Sequence, residues 1–154
     1  MPPRIDILAV GTLDPALRPV FEHYRRLLAG MVGFEVREVR EVGLKGRSAG
    51  EVLRDEGKRL LAALPARGTA VALDAGGTAY DSEAFAVRLQ SWLGDGQVTF
   101  VVGGSLGLAA EVRQSCREAL SLSALTLPHQ LTRVVLAEQL FRGLKIARGE
   151  RYHH

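Results

Sequence analysis

The 154-residue chain has a single cysteine, Cys116, which rules out an internal disulfide. That thiol and four scattered histidines make no metal-ligand spacing, so no bound metal is expected. Long hydrophobic runs are also missing: none approaches the roughly 18–20 residues of a membrane-spanning helix. The first residues, Met1-Pro2-Pro3-Arg4-Ile5-Asp6, carry neither a basic leader nor a cleavage site, which points to a cytoplasmic protein. No Gly-Lys-Ser/Thr closes a phosphate-binding loop, which argues against nucleoside triphosphate hydrolysis. None of Ser115, Ser121 and Ser123 lies in a Gly-x-Ser-x-Gly elbow, so a hydrolase triad has no support.

What remains has the balance of one soluble globular domain spanning residues 1–154, with 47% apolar and 24% charged residues. The net charge of +3, with a pI near 9.4, permits an anionic partner such as RNA without requiring one. The basic residues gather in two places. One is the Gly-rich stretch Lys45-Gly46-Arg47; the other is the tail after Gly143, with Lys145, Arg148, Arg151, His153 and His154 against Glu150 alone.

Apolar periodicity predicts β and α segments alternating five times. Residues 5–10 read as a buried strand closed by Gly11, and Asp14-Pro15 opens a helix carrying Leu17, Phe21, Tyr24, Leu28 and Met31. Residues 34–42, laced with Glu and Arg, read as a solvated edge strand. A second helix carries Val52, Leu53, Leu60, Leu61 and Leu64 and ends at Pro65. Residues 69–74 form a strand stopped by Gly76-Gly77, Asp81-Ser82 caps a third helix, and residues 98–102 form the most apolar strand. A fourth helix over 109–120, a short strand over 121–125 and a last helix starting at Pro128 complete the chain. This order implies a parallel or mostly parallel sheet with helices on both faces. The last helix carries two apolar stripes, Leu131/Val134/Val135 and Leu136/Leu140/Leu144. Two stripes need two burial partners, the sheet and a second subunit, so a homodimer is expected.

Two glycine turns follow strands, Asp74-Ala75-Gly76-Gly77 and Gly103-Gly104-Ser105-Leu106-Gly107, where ligands approach the carboxyl ends of strands in α/β sheets. The second is not a dinucleotide fingerprint, and neither turn alone distinguishes a site from a plain loop. Cys116 reads as a buried, inert thiol. His129 falls in the first turn of the last helix, with Arg133 one turn on. That pair fits a functional site and a packed helix start equally well.

The run Leu-Ser-Ala-Leu-Thr-Leu-Pro-His over residues 122–129, followed by Arg133, Val135, Ala137 and Glu138, resembles the RlmH family of ribosomal RNA large-subunit pseudouridine methyltransferases, within the SPOUT superfamily. The resemblance spans nearly the whole chain. It takes in Ala9-Val10-Gly11, Asp55-Glu56-Gly57, Leu73-Asp74, Gly77, Trp92, Gly103-Gly104, Gly107-Leu108 and Tyr152-His153. It departs at Ser105-Leu106, where relatives have Pro-Glu, and at Leu144, where Trp is common. The resemblance implies an α/β fold with a C-terminal trefoil knot, a five- to six-stranded sheet and a homodimer. It also implies S-adenosyl-L-methionine held by Leu73, Gly103, Gly104, Leu122, Ser123, Ala124, Leu125, Thr126 and Leu127. The implied reaction methylates N3 of a pseudouridine in large-subunit ribosomal RNA, within the assembled ribosome. That nitrogen is a weakly acidic imide and must lose its proton. His129 or His153 could take it, or positive charge from Arg133, Arg142 and the sulfonium could acidify the imide without a dedicated base. Tyr152 and His153 are expected to meet the target nucleotide from the partner subunit.

Overall fold

A computed structural model describes residues 2–152, so His153 and His154 lie outside the described residues. The elements in chain order are β1 (Arg4–Val10), α1 (Arg18–Ala29), β2 (Gly33–Val39), α2 (Ala49–Ala63), β3 (Thr69–Ala79), α3 (Ser82–Leu93), β4 (Gln97–Val102), α4 (Ala110–Gln114), β5 (Glu118–Ser121) and α5 (His129–Ala147). The five strands lie in the order β2-β1-β4-β3-β5, and every pairing is parallel.

Strand alternation sends side chains to two faces. Ile5, Ile7, Ala9, Val98, Phe100 and Val102 join the larger core, which α1, α3 and α5 cover. Leu8, Val10 and Val101 face the other way, onto Leu60 of α2 and Val112 of α4. The first turns of α2 and α3 form where side chains can cap them. Ser48 and Glu51 make a capping box on α2, and the Asp81 carboxylate accepts a hydrogen bond from Ala84 N–H on α3. Among the described residues no helix is long and apolar enough to cross a membrane.

The second strand ends at Val39 and the first helix begins at Arg18, both short of the sequence expectation, and in three further places a distant contact outweighs local pattern. The stretch 109–120 is not one helix: α4 ends at Gln114 and the chain re-enters the sheet at Glu118. The Glu118 carboxylate accepts hydrogen bonds from Arg88 and, at 2.8 Å, from Trp92 Nε1, and these anchor β5 earlier than its apolar residues suggest. The last strand is accordingly Glu118–Ser121, which leaves 122–128 irregular. Likewise Gly76-Gly77 does not stop β3. Leu73 and Thr78 both register with Leu120, so residues 74–77 bulge outward and the strand resumes. A Cβ at Gly77 would lie 2.6 Å from the Ala119 carbonyl, and only glycine can cross the β5 backbone there. Finally, the second apolar stripe of α5 finds cover within the chain: Leu136, Leu140 and Leu144, with Val134 of the first stripe, belong to the larger core between α1 and α3. The exposed strip is narrower than expected and is led by Leu131, 37% exposed.

Candidate active site

Three strands deliver their carboxyl ends to one cavity of about 240 Å³. Leu73, Asp74 and Ala75 reach it from the β3 bulge, Val102 to Gly104 from the end of β4, and Leu120 from β5. The irregular segment after β5 supplies Leu122, Ser123, Leu125, Thr126 and Leu127, and the first turn of α5 supplies His129 and Thr132. The position matches the general rule for parallel α/β sheets, where loops at the strand ends build the site.

The floor is backbone packed on backbone. A Cβ at Gly103 would stand 2.3 Å from the carbonyl oxygen of Gly107, so the turn can fold back on itself only with glycine there. Gly107 adopts φ +84°, and its N–H donates to the Gly104 carbonyl at 3.0 Å. One wall is the 122–127 segment. Ser123 Oγ accepts from Leu125 N–H at 2.9 Å, and Ser121 Oγ donates to the Ser123 carbonyl at 3.1 Å; these local bonds hold the segment open instead of helical. Among the described residues the backbone N–H groups of Ala124, Thr126 and Leu127 have no protein partner. Leu125 is 77% exposed at the cavity mouth.

Of the nine residues expected to hold a cofactor, eight line this cavity, and Ala124 stands beside it in the same segment. Sequence reasoning missed Asp74, Ser105 and Thr132. Asp74 had a signal, since it follows a strand directly and precedes a glycine pair. Arg113 donates to its carboxylate at 2.7 Å and Gly76 N–H at 3.2 Å, and together they hold its pKa below the ordinary value. It presents to the cavity wall an ionised carboxylate already paired with Arg113.

The residues expected at the chemistry separate. His129 lines the cavity. The adjacent Gln130 ties the start of α5 to the loop after β1, accepting from Asp14 N–H at 2.7 Å and donating to the Thr12 carbonyl at 3.1 Å. Arg133 turns away from the cavity: it is 1% exposed, pairs with Glu38 at 2.5 Å, and donates to the carbonyls of Val10 (3.2 Å) and Gly11 (3.0 Å). Arg142 and Tyr152 meet each other, with the guanidinium carbon 5.0 Å from the ring centroid, and Tyr152 packs edge-on against Phe141 at 4.9 Å. Neither Arg142 nor Tyr152 lines the cavity of its own chain. Burial first, then the neighbouring Tyr24 and the charge of Glu138, raise the Tyr152 phenol to about 12 against the opposing effect of Arg142. Cys116 is half-buried, its thiol pushed up to about 11 by desolvation, which agrees with an unreactive packing role.

Residues 3–153 match the family model described as "Predicted SPOUT methyltransferase". The chain belongs to the SPOUT methyltransferase family. It is 47% identical over 154 residues to the ribosomal RNA large subunit methyltransferase H of Rubrobacter xylanophilus, covering 97% of this chain and 98% of that one. The protein of the same name from Xanthomonas campestris pv. campestris is 40% identical over 151 residues, with 96% of each chain covered. Among solved structures, the SpoU methyltransferase AviRb of Streptomyces viridochromogenes, in complex with the cofactor AdoMet, superposes with a TM-score of 0.51 at 14% identity. That superposition covers 98% of this chain and 60% of AviRb, and it speaks for the fold. In this SPOUT methyltransferase, then, the cavity lies where the family's parallel sheet ends and the segment 122–127 begins.

Proposed function

We propose that this chain methylates large-subunit ribosomal RNA, at N3 of a pseudouridine, with S-adenosylmethionine held in the cavity at the ends of β3, β4 and β5. The observation that carries the reading is the glycine-floored cavity walled by 122–127, in a chain nearly half identical to a ribosomal RNA large subunit methyltransferase H. The wall suits the cofactor's two kinds of surface. Unpartnered N–H groups at Ala124, Thr126 and Leu127 can read an adenine edge, while Leu73, Leu122 and Leu127 supply apolar contact. The ionised Asp74 carboxylate suits a ligand that carries positive charge. When bound, S-adenosylmethionine supplies an electrophilic methyl group on a sulfonium.

The residues of the chain do the rest. The Gly103–Gly107 turn and the 122–127 segment fix the position of the cofactor, and positioning of this kind accounts for a large share of the rate in a direct transfer. His129 is the imidazole on the cavity wall, and we assign it the proton of the imide N–H. Arg133 serves as a positioning residue, tying α5 to the end of β1 through the Val10 and Gly11 carbonyls. Arg142 and Tyr152 stand off their own cavity, which supports a reading in which a second subunit brings Tyr152 to the target nucleotide. The partly exposed strip of α5 around Leu131, Val135, Glu138 and Arg142 is the surface for that homodimer. The C-terminal segment threads as the family's trefoil knot. The substrate places the protein in the cytoplasm, on assembled ribosomes.

The test is transfer of radiolabelled methyl from S-adenosylmethionine to ribosomes, with the product nucleoside identified by mass. Label on a large-subunit pseudouridine is the expected result. Calorimetry showing no cofactor binding would overturn the reading. His129→Ala should slow single-turnover transfer by about 100-fold, the low end of general-base effects; a loss under tenfold with an unaltered pH profile removes His129 from that role.

A further inference from the structure

Several cations on this chain are paired. Arg4, Arg25, Arg88, Arg113, Arg117, Arg142 and Lys145 each hold a carboxylate. The loop between β2 and α2 gathers, in one short stretch, cations that are not so paired. Arg40, Lys45 and Arg47 are all exposed, and among the described residues none has an acidic partner. Arg47 spends one N–H on the Gly43 carbonyl at 3.1 Å. From α2, the exposed Arg59 reaches back to the Arg40 carbonyl at 2.7 Å and adds a fourth cation to the loop. The one acid in the loop, Glu41, lies against Gly11, its Oε2 3.3 Å from where a Cβ would stand.

The position of this loop gives the charge its meaning. β2 runs parallel to β1, and β1 to β4, so the loop leaves the sheet at the same carboxyl end of the strands as the Gly103–Gly107 turn. Glu56 joins the two. It is 4% exposed; its Oε2 accepts from Val42 N–H at 3.1 Å, and its Oε1, which has no partner, lies 3.2 Å from where a Cβ of Gly104 would be. A buried carboxylate thus braces the basic loop against the floor of the cofactor cavity.

We infer that the β2–α2 loop, through Arg40, Lys45, Arg47 and Arg59, is a phosphate-docking surface for the RNA substrate, held in register with the cavity by Glu56. This rests on the ribosomal RNA reading above. Unpaired cations on glycine-flanked backbone, with no aromatic residue in the loop, suit sequence-independent contact with an RNA backbone. Protein interfaces, by contrast, favour aromatic anchors, which the loop does not offer.

The experiment compares wild type with Lys45→Glu/Arg47→Glu and with Lys45→Arg/Arg47→Lys on ribosomes, at several salt concentrations. The charge-reversed variant should raise KM for ribosomes about tenfold or more and lower the magnitude of the log–log salt slope by about 2, one for each lost contact. Its kcat and its cofactor Kd should stay within about twofold, which also reports that it is folded, and the charge-preserving variant should behave as wild type. An unchanged KM and slope, in an assay where wild type turns over, overturns the docking surface and leaves the methyltransferase reading standing. Absence of turnover by wild type overturns the substrate reading and the docking surface with it. Leu44, 51% exposed at the tip of the loop, allows a second measurement. Leu44→p-benzoylphenylalanine should crosslink to large-subunit RNA; adducts confined to ribosomal protein would overturn the assignment.

Discussion

Gly103→Ala should damage this protein more than any other single methyl group added at the glycine turn. The added Cβ would sit 2.3 Å from the Gly107 carbonyl oxygen and 2.5 Å from its carbon. An ordinary contact needs about 1 Å more, and both neighbours are backbone, which cannot rotate aside as a side chain would. The turn must therefore lift off the end of β4, opening the floor of the cavity. Overpacking of this kind costs about 1–3 kcal/mol. In a chain of this length that lowers Tm by roughly 2–4 °C per kcal/mol. With the cofactor in the proposed site, the functional loss should exceed the loss of stability, because the displaced atoms form the floor of the cavity. Cofactor Kd should rise at least about tenfold, and a misplacement of about 1 Å should cost the folded enzyme about 100-fold in rate. Two neighbouring variants grade the effect. Gly104→Ala meets Glu56 Oε1 and Val10 Cγ1 at 3.2 Å, side-chain atoms that can shift by a few tenths of an ångström, so its defect should be smaller. Gly107→Ala meets nothing within 4 Å and bears only the strain of φ +84°, about 1 kcal/mol. The assays are calorimetric titration with S-adenosylmethionine and thermal unfolding of all three. The close-approach argument fails if Gly103→Ala binds within twofold of wild type, or if Gly107→Ala is the worse of the two.

Arg133→Met should lower stability by about 3 kcal/mol in urea unfolding, the low end for breaking a buried ion pair, because Glu38 is partly exposed and can turn to water. The cofactor Kd of the folded variant should change less than threefold, and a hundredfold loss of rate at unchanged stability would place Arg133 at the chemistry instead. Tyr152 should favour the folded state below pH 10 and progressively less above it. Its folded pKa of about 12 exceeds the ordinary 10, so between those values the unfolded chain loses a proton that the folded chain keeps, and stability falls as pH rises. Tyr152→Phe should flatten that part of the stability–pH curve, and unchanged curvature would refute the assignment. Deleting residues 150–154 should abolish methylation while leaving cofactor affinity intact, since Tyr152 stands outside its own cavity; retained activity would show that the tail does not act across a dimer.

The strands β1 and β4, the capped start of α3 and the alternating order are all legible in the sequence, because each is decided by neighbours within one or two turns. The cofactor segment is legible as an apolar stretch ahead of Pro128, but its chemistry comes from a resemblance. Nothing in Leu, Ser, Ala and Thr side chains announces a ligand when backbone N–H groups form the contact. What escaped a local reading is long-range. Glu118 opens a strand because Arg88, Trp92 and Tyr80 converge on it from 26 to 38 residues away. Arg133 shares a helical face with His129 by spacing, yet burial behind Glu38 and the end of β1 separates their heads. The second stripe of α5 looks unpartnered until α1 and α3 are folded against it.

The glycines carry the same lesson into function. Gly77 and Gly103 are read most simply as stops, where a strand ends and a loop turns. Each marks a crossing instead, at which one stretch of backbone lies directly on another with no room for a methyl group. Those two crossings set β3 against β5 and fold the turn after β4 onto itself, and the cavity is the space left between them. A pocket framed by main chain has few side chains through which substitution could relax it. On the proposed reading, positions with little chemical character, glycine and leucine among them, should therefore govern binding. On the reading proposed above, substrate discrimination falls to the charged loop after β2 and to Tyr152, which stands outside the cavity of its own chain.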